Sequence, residues 1–166
     1  MTTLISIPIL AVLLILQSAI LSRMTLLHGT TDLVLLAVIA WALQKRVQTA
    51  WQWGIIGGLL VTIASDLPLG VALVGYLLVV ALALVLRQRV WQIPILSMFV
   101  ATFFGTLIIQ GLSYLALRIN GYQLPLLEVL NQITLPSVLL NLVVAIPVYA
   151  LIADLASWLY PEELET

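Results

Sequence analysis

The chain has 166 residues, one domain's worth, of which 63% are apolar and 8% charged, with a net charge of -1. A water-soluble domain carries roughly a quarter charged residues, so composition excludes that class and places the bulk of this chain in lipid. It also excludes the basic face a nucleic-acid partner needs, and the absence of cysteine removes disulfides, thiolate metal sites and thiol nucleophiles.

The mean hydropathy is +1.22, and apolar runs recur along the whole length. The first, Leu4 to Leu21, approaches the ~20 residues needed to cross the hydrocarbon core. Met1-Thr2-Thr3 carries no basic side chain and the run exceeds a signal peptide's core, so it reads as a retained span. After Arg23 comes a polar patch, His28 to Asp32, and then a short run from Leu33 to Leu43. That run rises only ~17 Å as a helix, about half the hydrocarbon thickness. Either residues from Met24 onward join it, or the helix starts below the membrane surface, with Thr30, Thr31 or Asp32 as its cap. Trp41 is expected in the aromatic belt at the opposite interface, just before Lys45 and Arg46.

The third run, Trp51 to Ser65, has small or polar residues at a four-residue spacing: Ala50, Gly54, Gly58, Thr62 and Asp66. Gly54 and Gly58 form a GxxxG pair, which lets a second backbone approach closely in lipid. The row is therefore a candidate helix-packing or partner face, within the chain or in a homodimer. Pro68, Gly70 and Gly75 continue that candidate face through the Asp66-Leu67-Pro68-Leu69-Gly70 turn into the fourth run. That run, Val71 to Leu86, ends at Arg87 and Arg89. The fifth, Pro94 to Leu117, carries another small row, Ser97, Ala101 and Gly105, and ends at Arg118. Residues 124–132 mix leucines with Glu128, Asn131 and Gln132 and read as an interfacial segment. The last run, Ile133 to Leu159, contains Pro136 and Pro147 as expected kinks, and a short acidic tail follows from Pro161 to Thr166.

The expected fold is thus an all-α integral membrane protein with six transmembrane helices, over about 4–21, 30–43, 51–65, 70–86, 94–117 and 133–159. Lys45, Arg46, Arg87 and Arg89 then share one side against Arg23 and Arg118 on the other. The positive-inside rule puts both termini in the cytoplasm.

Polar residues inside spans are costly, so each needs a reason. Gln17, Thr62, Gln110 and Asn141 fall in the outer half of their spans, level with Thr31, Asp32, Ser65 and Asp66. Two readings are open: an outward-facing depression lined by Gln17, Asp32, Thr62, Asp66, Gln110 and Asn141, or separate hydrogen bonds to neighbouring helices. Catalytic readings have less support. Asp32 and Asp66 suit an intramembrane carboxylate pair, but Asp32 is equally a cap. Ser18, Ser22, Ser65 and Ser97 have no GxSxG context. His28 and Asp32 have a metal-ligand spacing without the rest of a site. No catalytic residue, cofactor or metal is expected.

The block Thr31 to Arg89 resembles a known family, the bacterial rod shape-determining membrane protein MreD. The matching features are TDLVLLAVIAWAL before a basic turn, WGIIGGLL, the LPLG turn, and VGYLLVV ending in RQR. Their order and spacing carry the likeness, over about 60 residues. Family members often carry an acidic residue where this chain has Thr62, and Asp66 lies one turn further on. The resemblance implies a non-enzymatic scaffold subunit of the cell-elongation complex, in the bacterial cytoplasmic membrane. Its partners would be MreC, the elongation glycosyltransferase and transpeptidase, and membrane lipid. It also implies a fold similar to the substrate-binding subunits of energy-coupling-factor transporters, which makes a vitamin-binding importer subunit the second reading.

Overall fold

The computed structural model describes residues 2–21, 29–68, 70–89 and 93–161. Its regular structure is entirely helical, with no strand among the described residues. In chain order the helices are α1 (Thr2–Leu21), α2 (Leu33–Leu43), α3 (Ala50–Ala64), α4 (Val71–Arg89) and α5 (Pro94–Ile119). A short α6 (Leu126–Val129) then passes through a wide turn, Leu130–Thr134, into α7 (Leu135–Leu159). Three helices are long and apolar enough to cross a membrane: Val71–Arg89, Pro94–Ile119 and the continuous Leu126–Leu159. This is a membrane protein.

Residues 124–132, expected as an interfacial segment, are largely exposed, and from Leu126 they run as helix through the wide turn into the last helix. The cause lies at Pro136, which has no N–H to continue the ladder and whose ring crowds the carbonyl four residues back. The backbone widens just before it, and the Leu135 N–H bonds to the Leu130 carbonyl. Such a π-turn absorbs the misfit without ending the helix.

The bundle is built around α2. All of its 11 residues are buried, and α1, α3, α4, α5 and α7 all pack on it. Its sequence is apolar all round, the pattern of a helix surrounded on every side. Trp41, expected in an interfacial belt, is corrected to the interior: it stacks on Trp53 at 4.1 Å between ring centroids and 13° between planes. Its indole N–H donates to Thr49 Oγ1 at 3.1 Å, so the polar edge is satisfied inside the protein.

Small residues set the close helix contacts. A Cβ added at Gly54 would lie 2.6 Å from Val80 Cγ2, and one at Gly58 would lie 2.8 Å from the Leu73 Cα. The glycine face of α3 is therefore covered by α4 of the same chain. Gly75 on α4 meets Ile109 of α5, and Gly105 on α5 meets Ile39 of α2 and Val79 of α4. In lipid there is no hydrophobic drive to pair helices, so close van der Waals approach supplies much of the association. A flank of α3, turned about 100° from the glycine row, presents Trp51, Ile55, Leu59 and Ile63 outward, again at four-residue spacing.

Candidate functional site

Gln17 of α1 and Asn141 of α7 meet at the start of α2. α2 is only 11 residues long, and its N-terminus, with residues 29–32 before it, packs against the other helices. Each N–H there needs a partner, since non-helical backbone at membrane depth is tolerated only where protein satisfies it. Asp32 is the N-cap, and its Oδ1 accepts from the Leu35 N–H at 2.9 Å. The Asp32 N–H donates to Asn141 Oδ1 at 2.9 Å, and the Thr30 N–H donates to Ser137 Oγ at 2.9 Å. The Val34 N–H reaches Gln17 Oε1 at 3.3 Å.

Two further side chains complete the arrangement. Tyr76 of α4 donates its hydroxyl to the Asp32 carboxylate, 2.9 Å from Oδ1 and 3.0 Å from Oδ2. Asn141 turns its Nδ2 to Thr106 Oγ1 of α5 at 3.0 Å, and the Thr106 hydroxyl donates to the Thr102 carbonyl. Gly29 makes the approach to α7 possible, for a Cβ there would sit 2.5 Å from Pro136 Cβ. One broken helix end thus ties α1, α4, α5 and α7 together. The positive end of the α2 dipole meets a carboxylate, a favourable pairing.

The other end of α2 is held by a cation. Arg87 of α4 donates through Nη1 to the carbonyls of Gln44 and Val47, at 2.9 and 3.0 Å. This fixes the Lys45–Arg46 turn and sets a positive charge at the negative end of the helix.

Of the six residues proposed to line an outward depression, the structure brings Gln17, Asp32 and Asn141 to the start of α2, each on a different backbone N–H, with Asn141 only 1% exposed. Thr62 donates to the Gly58 carbonyl of its own helix at 2.7 Å, and Asp66 is exposed beyond the end of α3. Gln110 is half-buried on α5. Of the candidate packing face, Gly54, Gly58 and Gly75 lie in helix contacts, as above. Gly70 has φ +93° with open space around it, so it serves the turn at Pro68 through backbone conformation.

Among the described residues, no group of three His, Cys, Asp or Glu side chains is placed to hold a metal ion. His28 and Ser22 lie outside the described residues. Sequence reasoning missed Tyr76, Thr106 and Ser137. Their signal was a single hydroxyl within an otherwise apolar stretch, which says nothing about direction.

No protein-family model, curated protein or solved structure matches this chain.

Proposed function

We propose that the protein is a non-enzymatic scaffold subunit of the bacterial cell-elongation complex, an MreD-like partner of MreC in the cytoplasmic membrane. In this reading the chain crosses the membrane six times with both termini in the cytoplasm. The fold in this reading is similar to that of the substrate-binding subunits of energy-coupling-factor transporters. The scaffold would bias MreC by binding one of its conformations more tightly than another.

The observation that carries this reading over the importer alternative is the fate of the polar groups. Gln17, Asp32 and Asn141 are spent on backbone N–H groups at the start of α2, and Asp32 and Asn141 also on Tyr76 and Thr106. A vitamin site would need several such groups left convergent on an open pocket. Polar groups that lock helices together serve a rigid scaffold, whose work is done on its outer faces. With the glycine row of α3 covered by α4, the outward row Trp51, Ile55, Leu59 and Ile63 is the surface we assign to a partner helix.

Co-expression with MreC and purification in detergent tests this directly. The expected result is a complex of defined stoichiometry that Leu59→Ala with Ile63→Ala weakens without lowering the unfolding temperature of the subunit. Absence of any complex, together with a saturable thermal shift by a vitamin, would replace the scaffold with the importer reading.

A further inference from the structure

α5 is long enough to cross a membrane, and two contacts fix its level against α4: Gly75 lies on Ile109, and Val79 on Gly105. Continued along this antiparallel pair, the register sets Arg87 level with Ser97. From Ser97, α5 rises ~32 Å to Arg118, and the hydrocarbon core is ~30 Å thick. Arg118 therefore stands at the headgroup layer of the leaflet opposite Arg87. There a cleft of about 590 Å³ opens between the end of α5 and the 121–125 loop, with Arg118, Tyr122, Gln123 and Leu124 on its walls. The loop turns back on the helix because Gly121 takes φ +92°, which costs a glycine nothing. Tyr114, one turn below Arg118, shapes the cleft. Its hydroxyl donates to the Leu124 carbonyl at 3.2 Å and accepts from Arg118 Nη1 at 3.1 Å, so one side chain pins the loop and orients the guanidinium. Among the described residues no carboxylate meets Arg118. Glu128 instead accepts from the Gln132 amide at 3.3 Å. The stretch Ser22 to His28 holds no acidic residue, and the acidic tail follows the opposite end of α7.

An oriented guanidinium at headgroup depth has one abundant complement. We propose that this cleft holds the phosphate of a phospholipid from the leaflet opposite Arg87, with Arg118 as its cation. The planar guanidinium fork matches phosphate oxygens two at a time, which an ammonium cannot do. Tyr114 takes one N–H of that fork and holds the rest in a set direction. Leu115, 55% exposed and one turn below Arg118, gives the first methylenes of an acyl chain an apolar surface. Tyr122 stands 60% exposed on the loop, the place of an aromatic at the membrane interface. A free phosphate would gain the fork alone, whereas a phospholipid gains the fork and the apolar surface beneath it, so the lipid is the occupant assigned. The site rests on α5 crossing the membrane and does not depend on the scaffold reading.

Hydrogen exchange across residues 119–125 reads the cleft directly, in the delipidated full chain titrated with phosphatidylglycerol, with diacylglycerol of the same chains, or with inorganic phosphate. Phosphatidylglycerol should slow exchange there, and the other two should not. Arg118→Gln should raise the half-saturating phosphatidylglycerol concentration about fivefold, the worth of one basic residue near a membrane surface. Its unfolding temperature should stay unchanged, because Arg118 is exposed. Tyr114→Phe should also raise that concentration although no charge is lost, and Arg118→Lys should fall between the wild type and Arg118→Gln. Equal slowing by diacylglycerol would mean that the phosphate is not recognised, and slowing by inorganic phosphate alone would mean a site for a free anion. Either result, or an unchanged half-saturation in Arg118→Gln, would overturn the proposal. So would slow exchange in the delipidated chain that appears only as it dimerises, which would give the cleft to a second copy.

Discussion

α2 and α3 are both too short to cross a membrane unaided, and they meet that shortage in different ways. α2, with 11 residues, is enclosed on every side, and side chains from other helices satisfy its broken end. α3, with 15 residues, stays at the periphery, with its glycines pressed on α4 and large apolar side chains facing out. Burial on all sides removes the need for a lipid-matching length but creates a polar debt at the helix start. A peripheral position avoids the debt and leaves a face for lipid or a partner.

The comparison breaks most severely at Asp32. Asp32→Ala leaves the Leu35 N–H and the Tyr76 hydroxyl unpaired inside the bundle, for a loss of about 3 kcal/mol. Asn is also a good N-cap and accepts a hydrogen bond, so Asp32→Asn should recover most of that loss in a detergent unfolding curve. Next comes Gly58→Ala on α3. Its new Cβ meets a backbone atom of α4, at 2.8 Å from the Leu73 Cα, and the helices must separate at a cost of about 2 kcal/mol. Denaturant titration should show the midpoint falling with an unchanged slope.

Arg87→Gln probes the far end of α2. Losing the charge-assisted bonds to Gln44 and Val47 should cost about 1.5 kcal/mol, read as faster hydrogen exchange across the 44–49 turn. The smallest effect belongs to Ile63→Ala. Ile63 is 83% exposed, so its truncation should change subunit stability by less than about 0.5 kcal/mol. A larger effect on the isolated chain would mean that the outer row of α3 is covered by a second copy.

Much of the helix layout was legible because membrane helices announce themselves by apolar length, and basic pairs or Pro-Gly turns punctuate them. The start of α5 at Pro94 was readable from residue type alone, and the cap of α2 only as one of Thr30, Thr31 and Asp32. The small rows of α3 and α5 were readable as packing faces, though not what they meet. Where reading failed, direction was the missing quantity. Trp41 beside a basic pair has the profile of an interfacial residue, and only its stack on Trp53 explains its burial. Thr62 and Asn141 are alike as polar residues in apolar runs. Thr62 bonds back to its own helix, while Asn141 reaches the start of α2.

By itself the sequence determined a lipid-embedded helical chain, its turns and the positions where backbones can approach closely. These follow from composition, period and local stereochemistry, which need no neighbours. Which helix would be enclosed was decided only in three dimensions. α2 became the hub because Gln17, Tyr76, Ser137 and Asn141, from helices far apart in the chain, converge on its open end. A hydrogen bond of that kind depends on helix rotation. Rotation is set by the packing of the whole bundle at once.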